Sequence, residues 1–344
     1  MRFRRDLRLT NDPFAISVTL FRSLYRMPQH CVMELANIIR PHMPPRLGHL
    51  YLSVEIKLLC ALIFYGHGPY QRPHSRMADL NLSQSSVSNA IRDVTNALNS
   101  HDILMRFIHF PTTLQERNLV INRNARLGLP RVLGFIDGTL IKIHSPSGPD
   151  KYVYRSRKGY TALNVQIVCD SDLRILSINS KFPGSATDPW IYRMTPVRHM
   201  MRQIFQEDPC WLLGDSAYPH EPWLQKPILH ALPGTPEARY TMLHNRSRNC
   251  VERCIGVRKG TWRCLMTDRT LHYQPVKAGQ IVNACAVLHN YLRQFNKPLP
   301  FPVAEDFGED QDDLQLHEQG LMQQAEVVRN FLIQAANEYF INNV

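Results

Sequence analysis

No Cys-x-x-Cys pair occurs among the eight cysteines, which are scattered at 31, 60, 169, 210, 250, 254, 264 and 285. That takes away the tight-pair zinc fingers and the thioredoxin-like redox motif. With no secretory signal visible, reduced thiols in an intracellular compartment are expected. Cys250, Cys254, Cys264 and His272 can be drawn toward a zinc site, but no second tight pair supports it. The longest purely apolar run, Leu58 to Tyr65, is too short to cross a bilayer, so no membrane span is expected. A phosphate-cradling Gly-rich loop with Lys, a His-Glu-x-x-His helix and a Gly-x-Ser-x-Gly elbow are also missing. Acid is scarce over most of the chain: up to residue 300 there are 39 basic and 20 acidic residues, and after it 1 and 9. The total of +11 therefore divides into +19 and −8.

A strongly positive body points to a polyanionic partner, most often nucleic acid, although proteins of anionic membrane surfaces share the trait. The acidic tail reads either as a shield for that surface or as a solubilising, disordered segment. Arg2-Phe3-Arg4-Arg5 reads as a localisation signal or a plain basic terminus. At 344 residues the chain can bury one large core or two modest ones.

Residues 1–125 read as a helical region, with Pro41, Pro44 and Pro45 as punctuation. Within it, Ser83 is placed to cap a helix whose apolar stripe is Val87, Ile91 and Val94. Its other face offers Gln84, Ser85, Ser88, Asn89 and Arg92, side chains suited to base edges and phosphates. A preceding helix ending at Leu80 would complete a helix-turn-helix over about 66–98. The alternative is an ordinary capped helix. From Arg131 the texture becomes α/β: Val132 to Ile143, Leu163 to Cys169, Ile175 to Ile178 and Trp211 to Leu213 read as strands. Ala186 to Phe205 and Ile281 to Leu292 read as helices, giving a mixed sheet over 130–295. Residues 296–344 form an acidic tail ending in a helix over Gln315 to Tyr339.

Three carboxylates stand out. Asp137 and Asp215 end or interrupt apolar runs, in Phe135-Ile136-Asp137-Gly138 and Leu213-Gly214-Asp215-Ser216. Glu252 lies among basic residues in a helical segment. Each has a plain alternative: Asp137-Gly138 as a turn, Asp215 as a helix N-cap, Glu252 as an ion-pair partner for Arg248 or Arg253. Together they suggest acids neutralised by a divalent cation, in the manner of two-metal phosphoryl transfer. Arg155, Arg157 and Lys158 in one loop, then Arg246, Arg248, Arg253, Arg258, Lys259 and Arg263 along the Glu252 segment, would neutralise DNA phosphates, or else form a solvated basic face.

From about Leu62 to Asn290 the chain resembles the harbinger transposase-derived nucleases, relatives of PIF/Harbinger transposases. The markers are Leu82-Ser83-Gln84-Ser85-Ser86-Val87-Ser88, the Asp137 strand, Tyr154-Arg155-Ser156-Arg157-Lys158-Gly159-Tyr160, Asn164-Val165-Gln166, Pro183-Gly184-Ser185, Leu212-Leu213-Gly214-Asp215-Ser216, Val251-Glu252 and Val287-Leu288-His289-Asn290. The resemblance implies an RNase H-like domain with a D-D-E site of Asp137, Asp215 and Glu252, using Mg²⁺ or Mn²⁺ to hydrolyse DNA. It adds Asp188 as a further metal contact. This chain departs there, with Thr187 where many relatives carry His and with Pro189 after the acid, and Asp188 then reads equally as a helix N-cap. A Myb-like DNA-binding partner aiding nuclear entry, and residence in nucleus and cytoplasm, are likewise implied by resemblance. Homo-oligomer formation stays open. Two other readings remain: a domesticated, catalytically silent DNA-binding or regulatory protein with the transposase fold, and an active transposase still encoded by a mobile element.

Overall fold

The structure, a computed structural model, describes residues 12–45, 52–68, 82–295 and 319–343. Its centre is a mixed sheet in the order β3-β2-β1-β4-β5. The strands are β1 (Val132–Lys142), β2 (Ala162–Cys169), β3 (Ile175–Pro183), β4 (Trp211–Leu213) and β5 (Leu224–Gln225). β1, β2 and β3 form an antiparallel meander, whereas β4 runs parallel to β1 and β5 parallel to β4. This is the expected RNase H-like α/β arrangement.

Apolar residues cover both faces of the sheet, so it separates two cores. Phe135, Ile141, Val165 and Ile167 join the larger one, with Val251, Ile281 and Leu288. Leu133, Ile136, Val168 and Leu212 join the smaller one, with Tyr192, Met201 and Tyr218. Burying each such side chain contributes about 1.5–3 kcal/mol. β2 is buried at every position.

The N-terminal helices are α1 (Val18–Tyr25), α2 (Gln29–Ile39), α3 (Val54–His67), α4 (Gln84–Leu98), α5 (His101–Phe107) and α6 (Leu114–Asn124). They share the larger core with the sheet, through Phe21, Val32, Leu59 and Ile91. Ser83 caps α4 as expected, its hydroxyl accepting from Ser86 N–H at 3.2 Å. Ile91 and Val94 are buried and Val87 packs against them. The helix expected to end at Leu80, the Arg2–Arg5 cluster and the acidic stretch of the tail lie outside the described residues.

The span expected as one helix from Ala186 to Phe205 is two: α7 (Asp188–Met194) and α8 (Pro196–Glu207). Pro196 cannot donate to the preceding turn and starts a new helix at its first position. α9 (Pro236–Thr261) carries Glu252, α10 (Pro275–Arg293) crosses the β3 side, and α11 (Gln319–Asn343) packs on α9. Asn290 of α10 accepts from Ile175 N–H at 2.8 Å and donates to Ile175 and Phe107 carbonyls at 2.7 Å. Its marker segment is thus structural: it satisfies the outer edge of β3.

Candidate metal centre

β4 ends at Leu213, opposite Phe135 of β1. Two residues further along β1, Asp137 therefore stands beyond the end of its parallel neighbour, at an open notch in the sheet. Asp137-Gly138 is not a turn; the strand runs straight through it, pairing with Ile167 and Gln166. Glycine is needed at 138 because the Asp188 carboxylate lies over it: a Cβ there would meet Asp188 Oδ1 at 2.1 Å.

Asp188 is the first residue of α7, and Thr187 rather than Asp188 takes the N-cap position, without a capping hydrogen bond from its side chain. Asn164 of β2 fixes the acid by donating to Asp188 Oδ1 at 2.8 Å and to Ala186 carbonyl at 2.9 Å. Asp215 sits in the turn after β4, not at a helix start. Its Oδ1 accepts from Ala217 N–H at 3.0 Å, which holds the carboxylate in place. Gly214 permits that turn, since a Cβ would strike the Tyr218 ring at 2.8 Å.

Three elements thus deliver three acids to one place. Carboxylate oxygens of Asp137, Asp188 and Asp215 lie within 4.8 Å of one another, the one such group of His, Cys, Asp or Glu among the described residues. Ligands on opposite sides of Mg²⁺ are about 4.2 Å apart, from its metal–oxygen distance of about 2.1 Å, and those around Ca²⁺ are slightly wider apart. The trio fits a hard divalent cation in both reach and donor type. The zinc arrangement does not assemble among the described residues: Cys250, Cys254 and Cys264 are buried, whereas His272 is exposed, its ring 5.8 Å from that of His144.

The electrostatics carry the cost of this clustering. Burial pushes Asp137 up to about 7; Arg248 opposes the rise, and the charges of Asp215 and Asp188 add to it. Tyr218 is buried beside the trio, and burial together with the same three charges holds its phenol well above the ordinary range. It stays neutral at physiological pH.

Glu252 lies outside the trio. Arg248, one helical turn earlier on α9, donates to Asp137 Oδ2 at 3.0 Å and to Glu252 Oε1, so a single guanidinium joins the two acids. This pairing was visible in the spacing of Arg248 and Glu252. Its link to Asp137 was not, because that contact spans 111 residues. Asn164 also escaped notice as a positioning residue, although Asn164 and Gln166 break an otherwise apolar buried strand at alternate positions.

Of the residues expected on DNA, Gln84, Ser88 and Arg92 are exposed on one side of α4. Arg157 and Lys158 are exposed at the tip of a tight turn closed by Ser156 N–H and Oγ donating to Tyr160 carbonyl, both at 2.9 Å. Arg258 and Lys259 are a correction. They are 0% and 2% exposed, inside the C-terminal half of α9, and cannot meet DNA at the surface. Arg258 lies near Cys254, Cys264 and Cys285.

Comparison with known proteins agrees with this geometry. The family described as DDE superfamily endonuclease matches residues 136–290, a span holding all four acids. HARBI1, named as a candidate nuclease, is 30% identical in Bos taurus over 293 residues, 82% of this chain and 81% of that protein. The Homo sapiens HARBI1 is 32% identical over 277 residues, 78% and 76% of the two chains. The Arabidopsis thaliana protein named ALP1-like is 22% identical over 232 residues, 61% of this chain and 54% of its own. No solved structure matches the chain.

Proposed function

Since the chain belongs to the harbinger transposase-derived nuclease family, we propose that it is a divalent-metal-dependent DNA endonuclease. Asp137, Asp188 and Asp215 hold the metal, and Glu252 completes the carboxylate set. The observation that carries this reading is the convergence of three acids from β1, α7 and the β4 turn within 4.8 Å. No stability argument favours it, because clustered half-buried carboxylates repel.

Bound Mg²⁺ or Mn²⁺ supplies a more acidic attacking water and neutralises charge on the leaving oxygen. The chain's own groups do the rest. Asn164 and the backbone N–H of Ala217 fix two of the carboxylates before substrate arrives. Arg157 and Lys158 neutralise phosphates beside the scissile bond, and Gln84, Ser88 and Arg92 bind the duplex farther away. Overall, water oxygen bonds to phosphorus, one P–O ester bond breaks, and the water proton ends on the leaving oxygen.

The test is Mn²⁺ calorimetry followed by nicking of supercoiled DNA, with Asp137→Asn beside the wild type. The variant is expected to fold, to bind Mn²⁺ at least tenfold more weakly and to leave the plasmid intact. Unchanged Mn²⁺ affinity in Asp137→Asn would show that the site is misassigned. Metal binding with no nicking by the wild type would favour the silent, DNA-binding alternative.

A further inference from the structure

The segment leading into Asp188 carries an exposed aromatic and basic rim that neither the acids nor the α4 face explains. Trp190 is 44% exposed, two residues after Asp188 in α7. It is not a loose surface ring: it stands edge-on to Phe182 with centroids 5.4 Å apart and planes at 84°. Phe182 pairs in register with Asn164, the residue that holds Asp188. A second ring, Tyr152, is 70% exposed in the 3-10 turn Pro149–Tyr154. That turn is tied to the same segment, because Ser185 N–H donates to Val153 carbonyl at 3.2 Å. Arg155, Arg157 and Lys158 follow at once, all exposed, and Lys181 is exposed on β3.

Two exposed rings, one following Asp188 in α7 and one on a turn tied to the segment before it, with exposed cations in the same turn and Lys151 Nζ 4.9 Å from the Tyr152 ring centroid, have a specific use. Bases offer their flat faces only where they are unpaired or at a strand end; in an intact duplex those faces are covered by neighbouring base pairs. Phosphates are accessible in both forms. Basic side chains alone would serve either form, whereas exposed aromatics add binding only to the unstacked one. The charge makes nucleic acid the better occupant than an apolar protein segment. We infer that this rim binds unpaired nucleotides next to the scissile phosphodiester, Trp190 and Tyr152 stacking on bases and Arg155, Arg157 and Lys158 holding phosphates of the same strand. The inference rests on the DNA-directed reading above and deepens it: the substrate is DNA opened at the site.

The protein contains its own probe. Of four tryptophans, Trp211, Trp223 and Trp262 are at most 3% exposed, so a base stacking at the surface quenches Trp190 alone. For every variant, binding of the full chain in EDTA is read from the anisotropy of a dye-labelled 12-mer of oligothymidylate and of a labelled 12-base-pair duplex, with tryptophan quenching followed in addition on wild type. Wild type is expected to show quenching by oligothymidylate. Trp190→Ala should bind that strand at least tenfold more weakly while binding duplex within twofold of wild type, and Tyr152→Ala should show a smaller loss of the same kind. Trp190→Phe keeps a ring and should retain most of the single-strand affinity, which guards against a misfolded alanine variant. Equal oligothymidylate affinity in wild type and Trp190→Ala would overturn the inference. So would equal losses for strand and duplex, or duplex binding without any single-strand binding, outcomes that point to a protein partner for the rim. None of these readouts uses metal or cleavage, so strand binding without nicking would sink the nuclease reading and leave this one standing.

Discussion

Replacing Gly138 with alanine should damage the metal centre without touching any acid. The added Cβ would lie 2.1 Å from Asp188 Oδ1, 2.5 Å from Cγ and 2.7 Å from Oδ2. Ordinary contact begins near 3.4 Å, so the carboxylate must retreat by more than about 1 Å, several times the roughly 0.2 Å tolerance of a metal–ligand distance. The obstacle is the end of a side chain, not backbone, and alanine costs less entropy than glycine in a strand by about 0.5–1 kcal/mol. The melting temperature without metal should therefore barely move. Mn²⁺ affinity should fall about 10- to 100-fold, or about 1.4–2.8 kcal/mol. Calorimetry on Gly138→Ala, Asp188→Ala and the double variant decides the matter. Because the methyl acts only by displacing Asp188, it should add no further loss once Asp188 is alanine. Wild-type Mn²⁺ affinity in Gly138→Ala, or fully additive losses in the double variant, would refute the reasoning.

Two other substitutions separate roles that share one surface. Glu252→Gln removes a charge whose partner is Arg248 and whose side chain is 34% exposed; stability without metal should change by at most about 1 kcal/mol, while metal-dependent nicking should be lost. Nicking at the wild-type level, where Asp137→Asn is inert, would take Glu252 out of the site. Arg92→Ala on the exposed side of α4 should weaken duplex binding and lower the salt slope by about one charge unit; equal affinity and slope would make α4 a scaffold.

Much of the fold was legible because buried strands need apolar runs. Val132–Lys142 and Trp211–Leu213 emerge within a residue or two of their expected limits. β5, two residues long, carries too little pattern to find. Asp137 was legible as part of a strand, but the need for glycine at 138 was not, because local propensity knows nothing of Asp188, fifty positions away, whose carboxylate lies over it. The Ser83 cap depends on neighbours three residues off and was readable for that reason. Arg258 and Lys259 misled in the opposite sense. Charge predicts exposure for an average helix, but the C-terminal half of α9 is enclosed by the larger core, and Val251, Cys254 and Ile255 are buried alongside them. The fourfold spacing of Arg248 and Glu252 was visible, yet spacing cannot say that the same guanidinium reaches a strand 111 residues earlier.

The acids also show where this fold departs from its own rules. Elsewhere β1 presents Val132, Leu133, Phe135, Ile136 and Ile141 to apolar surroundings. At the notch it places a carboxylate that burial raises to about 7, with two neighbouring acids adding to the rise. Apolar residues there would extend either core and remove the repulsion. Arg248 offsets part of the charge, its one guanidinium shared between Asp137 and Glu252. Each carboxylate is also held, by Arg248, Asn164 or a backbone N–H, in a geometry that keeps the repulsion instead of relaxing it. Like charges held together where β4 stops short, at a cost in stability, break the local rule that the rest of β1 follows, and sites that break local rules in this way are where function is expected.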